Sequence, residues 1–240
     1  MTPFLQHCRW PGILLPFIAL GMPGTVTGQS DPCAQLPKPN VTLKRIEEEP
    51  RFNLAYTYRT LTDIGTPTGK TGRTILGLTR TQGTVGYTLQ TPSSIDTSGR
   101  WECLSPQIAV HFGFAPMTVY VAREFPPGSC AHKEIHEHEM RHARAYKEHI
   151  TRVEKDLQET LTARFGADTP WRGPAGQLRA KLQEEMESRW LPYIQRLIKQ
   201  ADFAQGEIDT DAEYERVGNA CNGEIRNRLA EKQTLTSTLR

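Results

Sequence analysis

Residues 130–165 contain no glycine and no proline, and a stretch without these residues favours one long helix. On a helical wheel, His138 and His142 share a face with a mostly apolar stripe that continues along the same helix. The stripe consists of Ala145, Tyr146, His149, Ile150, Val153 and Leu157. Because an apolar stripe packs against the protein interior, the two histidines are predicted to point inward.

Residues 138–142 read His-Glu-Met-Arg-His, which is the HExxH motif of zinc metallopeptidases. Two imidazoles one helical turn apart can both bind one zinc ion and leave a coordination position open to water. Glu139 follows the first histidine, where its carboxylate can take a proton from a water whose pKa the zinc lowers. The motif therefore predicts zinc held by His138 and His142, with Glu139 as the general base.

A third protein ligand has to come from another part of the chain. The extended pattern HExxHxxGxxH is absent, since positions 145 and 148 hold alanine and glutamate. If the chain turns back after the long helix into an antiparallel partner, an acidic segment further on comes level with the two histidines. Its candidates are Asp202, Glu207, Asp209, Asp211 and Glu213. We choose Glu213 first and Asp209 second, although Glu213 also fits as the last residue of a helix capping box.

The other histidines of this stretch are predicted to have different roles. His132 and His136 lie on another face of the helix and are interpreted as surface residues or as neighbours of the ligands. His149 is about 10 Å along the helix axis from the second motif histidine, which is too far to bind the same ion. We expect it to be a hydrogen-bonded core residue. Tyr146, Tyr214 and His149 are candidates to assist at a reacting carbonyl.

The chain from about residue 40 to residue 125 alternates short β-branched runs with turn residues, which is typical of strands. The runs read NLAYTYRTL, RTILGLTR, TVGYTLQT, QIAVHF and MTVYVAREF. The segments GTPTGKTG, TQG and APM between them are predicted to be loops or hairpin turns. GTPTGKTG lacks the full spacing of a phosphate-binding loop, so we interpret it as a surface loop.

Helical periodicity follows from residue 130 onward. After the long helix, a second run spans about residues 177–204 with apolar residues at spacings of three or four, and a third spans about residues 211–232. Strands followed by helices are typical of an α+β fold. We expect a small antiparallel β region, then the helix with the motif, and then two further long helices.

The amino terminus, residues 1–28, has the pattern of a secretory signal peptide. Arg9 precedes an apolar run from Trp10 to about Gly21, and small residues follow at positions 26–28. The run is shorter than the roughly 20 apolar residues that span a bilayer and contains two prolines, so an uncleaved membrane anchor is the weaker alternative. The protein is therefore expected to be secreted or periplasmic, with no stable membrane span after signal removal.

Four cysteines remain after the predicted signal peptide, namely Cys33, Cys103, Cys130 and Cys221. An even number of cysteines in an oxidising compartment predicts two disulfides. Four cysteines allow three pairings, and the sequence does not decide among them. We favour Cys103 with Cys130 and Cys33 with Cys221. The absence of a close CxxC pair from the sequence argues against a four-cysteine metal cluster.

The charge of the chain is almost balanced. Loss of residues 1–28 changes the formal net charge from +2 to +1, because Arg9 is the only charged residue among them. Such a chain has no electrostatic basis for binding nucleic acid. We therefore expect a protein or peptide substrate bound at one site, and a monomer.

The run MTVYVAREFPPGSCAHKEIHEHEMRH and the later IDTDAEYERVGNACNGEI resemble a bacterial family of uncharacterised domains described as predicted secreted zinc-dependent proteases. The resemblance covers about residues 100–225 and depends mainly on the HExxH motif. It implies a zincin-like fold with a strand, an active-site helix and further helices. We expect residues 96–240 to form this domain and residues 29–95 to form an amino-terminal β portion. The resemblance also implies His138 and His142 as zinc ligands and Glu139 as the catalyst.

These features predict a secreted zinc metallopeptidase that hydrolyses peptide bonds. Two alternatives remain open. One is a zinc hydrolase of cell-wall amide bonds, which uses the same water activation in a different cleft. The other is a non-catalytic envelope protein with a structural zinc site or none. Substitution of Glu139 separates the last alternative from the other two, because it removes the base and keeps the metal ligands.

Overall fold

The computed structural model describes residues 31–65 and 73–238. The predicted signal peptide and nearly all of the GTPTGKTG segment lie outside these residues. The described strands are β1 (Asn40–Ile46), β2 (Arg51–Asn53), β3 (Gly77–Gln90), β4 (Ser93–Ile95), β5 (Trp101–Leu104), β6 (Gln107–Val121) and β7 (Trp171–Pro174). The helices are α1 (Tyr58–Gly65), α2 (Cys130–Phe165), α3 (Leu178–Glu185), α4 (Leu191–Lys199), α5 (Ala201–Ile208), α6 (Asp211–Asn219) and α7 (Glu224–Thr238). This order confirms the predicted α+β class.

The larger sheet is built around the long strand β6. β1 and β2 pair with one edge of β6 in parallel, at residues 107–113 and 118–120 respectively, and β3 pairs with the other edge in antiparallel register. Among the described strands β3 has no second partner, so it is an edge strand. β4, β5 and β7 form a second, wholly antiparallel sheet. The predicted antiparallel region is thus confirmed for the smaller sheet, whereas the larger sheet is mixed.

Several predicted strand ends are wrong. TQG and APM, predicted as turns, lie inside β3 and β6, where a register shift between Thr81 and Gly83 marks a bulge rather than a turn. NLAYTYRTL, predicted as a strand, instead leads into α1. Tyr58, Leu61 and Gly65 are the buried residues of that helix, and their spacings of three and four place them on one helical face.

Helix α2 has the bounds that the sequence predicts. The Ser129 side chain caps its first turn by accepting a hydrogen bond from the main-chain nitrogen of His132 at 3.1 Å, and the helix ends at Phe165, directly before Gly166. Its carboxyl-terminal half packs in a core against the larger sheet and the α3–α4 run. That core contains, among others, Val110, Phe112, Ile150, Leu157, Leu161, Leu182, Met186 and Ile194. The amino-terminal half, with Ala131 and Ile135, packs in a second cluster with α1 and α7.

The second predicted helical run is interrupted twice. A π-helical turn spans Met186–Trp190, where the main-chain nitrogen of Leu191 bonds to the carbonyl of Met186. Pro192 explains this turn, because proline donates no hydrogen bond and its ring clashes with the carbonyl four residues earlier. The run ends at Lys199, and α5 begins at Ala201. The third predicted run is also divided, by a turn at Ala220–Gly223 between α6 and α7.

Two disulfides join distant parts of the described chain. Cys33 bonds to Cys103 and Cys130 bonds to Cys221. The two predicted disulfides are confirmed, but the favoured pairing was wrong. Cys221 lies in the turn after α6. This turn lies beside the start of α2, so the sulfur of Cys221 reaches that of Cys130. Both bonds are typical of proteins that fold in an oxidising compartment.

None of the described helices has the length and apolar character needed to cross a bilayer.

Candidate metal centre

Three side chains from two parts of the chain meet at the amino-terminal half of α2. His138 and His142 lie one turn apart on that helix, and Asp209 lies between α5 and α6. Thr210 caps α6, since its hydroxyl accepts a hydrogen bond from the main-chain nitrogen of Glu213 at 3.1 Å. The cap fixes where α6 begins, and it therefore also fixes the position of Asp209 directly before it.

The donor atoms of these side chains form a nearly equilateral triangle. Asp209 Oδ1 is 3.2 Å from His138 Nε2 and 3.2 Å from His142 Nε2, and the two nitrogens are 3.3 Å apart. Donors bound at about 2.0–2.1 Å to a tetrahedral zinc ion are about 3.3–3.4 Å from each other. The three residues could therefore bind one metal ion.

The other nitrogen of each imidazole has an acceptor beside it. His142 Nδ1 is 2.7 Å from Gln205 Oε1, and His138 Nδ1 is 3.2 Å from Glu213 Oε1. Arg141 Nη2, which can only donate, is also 3.0 Å from His138 Nδ1 and forms an ion pair with the same Glu213 oxygen. When Nδ1 carries the proton and donates to these oxygens, Nε2 keeps its lone pair for a metal ion. Gln205 precedes Asp209 by four residues and so lies on the same helical side, but it is not among the residues predicted from the sequence.

Glu213, our first choice as third ligand, lies beside Nδ1 of His138. Asp209 faces the other ring nitrogen, Nε2. Its carboxylate also forms ion pairs with Arg141 and Arg216. These contacts lower the pKa of Glu213 to about 2, with the hydrogen bond from Arg216 as the largest cause. The geometry therefore favours Asp209, our second choice, as the third ligand, and places Glu213 behind His138 as its hydrogen-bond acceptor.

Asp209 carries the negative charge of the triangle. Burial alone would raise the pKa of Asp209, but hydrogen bonds with His138 and His142 hold its pKa far below the usual range. Burial likewise opposes the charged form of His142, yet Asp209 and Glu139 raise the pKa of His142 overall. Asp209 is thus a full negative charge facing two imidazoles, and its side chain is 40% exposed, so it is open to a ligand from solvent.

Glu139 is buried between α2 and strand β3, with only 4% of its surface exposed. The hydroxyl of Thr79 lies 2.9 Å from its Oε2. Burial raises the pKa of the Glu139 carboxyl, and the nearby His142 and His138 and the bond from Thr79 oppose that shift only in part. A carboxylate with a raised pKa is a stronger base than an exposed one, which suits proton abstraction.

A groove of about 860 Å³ opens at this site. Strand β3 from Gly77 to Thr81 forms one wall, and α5, α6 and the start of α7 form the other. His138, Glu139, His142 and Asp209 lie along it. Part of its lining is apolar and includes Ile64, Ile75, Val217, Ile225 and Leu229. The groove is therefore long enough to hold more than one residue of an extended ligand.

The remaining predicted residues lie in different places. His149 is buried, and its Nε2 lies 2.8 Å from the carbonyl of Leu197, which confirms it as a hydrogen-bonded core residue. Tyr146 and Tyr214 line the groove. Burial raises the pKa of Tyr146 to about 12 and also raises that of Tyr214. His136 lies outside the groove, with its ring 5.2 Å from that of Phe52.

No protein-family model matches this chain, and no curated protein or solved structure shows significant similarity to it. We therefore infer the function of the protein from its residues and their geometry.

The Cys130–Cys221 disulfide connects the two parts of the chain that supply the candidate metal ligands. Replacing both cysteines with alanine is expected to weaken zinc binding at least about tenfold, because α6 and the neighbouring Asp209 are then no longer tied to α2. The measurement is a competitive titration of zinc with a chromophoric chelator.

The matched control is the alanine variant of Cys33 and Cys103. The two disulfides close loops of similar length, with sequence separations of 91 and 70 residues, so their loss lowers the free energy of unfolding by similar amounts, about 2–5 kcal/mol. The Cys130–Cys221 pair joins the start of α2 to the turn after α6, whereas the Cys33–Cys103 pair joins neither of these elements. Equal zinc affinity in the two variants would contradict this role.

Proposed function

We propose that this protein is a secreted, zinc-dependent metallopeptidase. The observation that carries the proposal is the triangle of His138 Nε2, His142 Nε2 and Asp209 Oδ1, with sides of 3.2–3.3 Å, beside the buried carboxyl of Glu139. Two imidazoles and one carboxylate are ligands that zinc accepts, and three protein ligands leave a fourth position open, as in catalytic rather than structural zinc sites.

Each residue has a separate part in the proposed reaction. Zinc, when bound, supplies a positive charge that acidifies a coordinated water and polarises a substrate carbonyl. Glu139 takes the proton of the attacking water and passes it to the leaving amine. Gln205 and Glu213 hold the two imidazoles in the tautomer that binds metal. Tyr214, whose ring centre is 6.3 Å from that of His138, is near enough to the site to contact a bound substrate.

The shape of the groove supports a peptide as the substrate. β3 is paired on one side only among the described strands, and its residues 77–81 line the groove. An unpaired strand edge offers main-chain donors and acceptors in a row, to which an extended peptide can add as a further strand. Such pairing would hold a main-chain carbonyl of the peptide beside the triangle. Secretion is supported by the two disulfides.

Removal and return of the metal test this proposal. The purified protein is expected to contain about one zinc per chain and to cleave a mixture of unstructured proteins. Dialysis against a chelator should abolish cleavage, and one equivalent of zinc should restore it, because the reaction needs the polarising ion. Elemental analysis identifies the metal, and mass spectrometry of the digest identifies the cut bonds.

Other outcomes of the same experiment would contradict the proposal. Stoichiometric iron in place of zinc would exclude a zinc enzyme, since two histidines and one carboxylate also bind ferrous iron. Release of fragments from cell-wall material with no protein cleavage would favour an amide hydrolase of the cell wall. Full zinc content without cleavage of either substrate would favour the non-catalytic envelope protein.

A further inference from the structure

Strand β3 presents a small residue and a hydroxyl directly against Glu139. Gly77 and Thr79 are two positions apart on the strand, so they face the same side, toward α2. Thr79 Oγ1 is 2.9 Å from Glu139 Oε2. A methyl group added to Gly77 would lie 2.6 Å from Glu139 Oε1 and 2.8 Å from a side-chain carbon of Ile135. The strand therefore fits closely around both oxygens of this carboxyl.

We propose that Gly77 and Thr79 are positioning residues that together hold the carboxyl of Glu139 for its task as the general base. Thr79 fixes Oε2 by a hydrogen bond, and Gly77 leaves the space that Oε1 occupies. Among the described residues Oε1 has no hydrogen-bond partner, so this oxygen is free to take the proton from a substrate water. The inference rests on the proposed function only for its catalytic consequence, since the contact itself can be tested without any reaction.

The hydroxyl of Thr79 suits both states that a general base passes through. Its oxygen lies 2.9 Å from Glu139 Oε2 and 3.0 Å from the main-chain oxygen of the same residue. A hydroxyl has one proton to donate and two lone pairs that accept. It can therefore donate to the carboxylate before proton transfer. After the transfer the proton is on Oε1, and Oε2 still accepts the hydrogen bond from Thr79, which keeps this oxygen of the buried group paired throughout.

The test compares variants at Thr79 for hydrolysis and for zinc binding. Thr79→Val keeps the shape and removes the hydroxyl, and we expect kcat to fall about tenfold or more with KM and zinc affinity within about twofold of wild type. Thr79→Ser restores the hydroxyl and is expected to recover most of kcat. A loss that serine does not rescue, or an unchanged kcat in Thr79→Val, would overturn the inference.

Gly77 is tested by the same assay with a matched glycine on the same strand. Gly77→Ala should lower kcat at least about tenfold, because the added carbon takes the place of Oε1. Gly86→Ala serves as the control, since a carbon added there meets nothing within 4 Å. Equal kcat for the two alanine variants would show that the space at Gly77 does not matter for the base.

Thermal unfolding of the metal-free protein tests the contact without any activity. Thr79→Val should lower the melting temperature by about 3–6 °C when Glu139 is present and by less than about 1 °C in a Glu139→Ala background. Equal shifts in both backgrounds would mean that the two side chains are not coupled, which overturns the inference. If wild type hydrolyses nothing, the proposed function fails, and the melting experiment still decides whether Thr79 holds Glu139.

Discussion

Replacing Glu139 with glutamine is expected to lower peptide hydrolysis by at least about a hundredfold while zinc binding stays at about one ion per chain. Glutamine has nearly the shape of glutamate, and its carbonyl oxygen can still accept the hydrogen bond from Thr79, so the buried site keeps its packing. An amide does not take up a proton near neutral pH, and the attacking water then loses its base. The measurement is kcat/KM on an unstructured protein beside the zinc content of the same sample.

Glu137→Gln is the matched control for this substitution. Glu137 is two residues away on the same helix, but it is exposed and forms an ion pair with Arg144 at 2.6 Å, so its loss should leave hydrolysis unchanged. If Glu139→Gln and wild type hydrolyse at the same rate, Glu139 is not the base. If Glu139→Gln also loses its zinc, the carboxyl contributes to metal binding, and the division of roles proposed for the site would have to be revised.

The sequence predicts α2 and its inward histidines well because both depend on local information. A stretch without glycine or proline, a serine before it and a glycine after it define the ends of the helix at Cys130 and Phe165. The motif spacing then places His138 and His142 on one face whatever the rest of the fold does. His149 could be assigned to the core for the same reason, since it continues that face.

The sequence could not decide between the two candidate carboxylates, because the choice depends on a break in the helices. The acidic segment was predicted to lie beside the motif, and it does. Which of its carboxylates faces the imidazoles depends on where α5 ends and α6 begins. Asp209 lies in that break, directly before the capping residue Thr210. Glu213 is one turn further on, and its side chain reaches the far side of His138. Sequence periodicity does not give the angle between two such helices.

The predicted disulfide pairing was wrong for a related reason. Residues 211–232 were predicted as one helix, which would have carried Cys221 along its surface. The chain instead turns at Cys221 and Asn222, which both have positive φ values of 61° and 55°, and Gly223 completes the turn. The Asn-Gly pair is a known turn signal and could have revealed the break. TQG is accommodated inside β3 at a bulge, and APM is accommodated inside β6 at residues 115–117, where neither β1 nor β2 pairs with it, so Pro116 removes no hydrogen bond to those strands.

Replacing Asp209 with alanine is expected to weaken zinc binding by at least about a thousandfold, because the site then keeps only two of its three protein ligands. Glu213→Gln is expected to weaken binding by only about 10- to 100-fold, the usual effect of removing a partner that orients a ligand. The measurement is again competition with a chromophoric chelator, with hydrolysis followed in parallel. Both variants should lose activity, so the affinities decide between the two carboxylates.

Glu207→Ala is the control for these two variants, since Glu207 belongs to the same acidic segment but is exposed on α5. A change of net charge alone would weaken zinc binding equally in Glu207→Ala and in Asp209→Ala. If Glu213→Gln weakens binding more than Asp209→Ala, then Glu213 is the ligand and the side chains rearrange around the ion. That result would also predict a different tautomer for His138, because Glu213 then no longer accepts the hydrogen bond from Nδ1. With the expected order, Asp209 completes the site, and the acidic segment contributes one ligand and one orienting carboxylate a single turn apart.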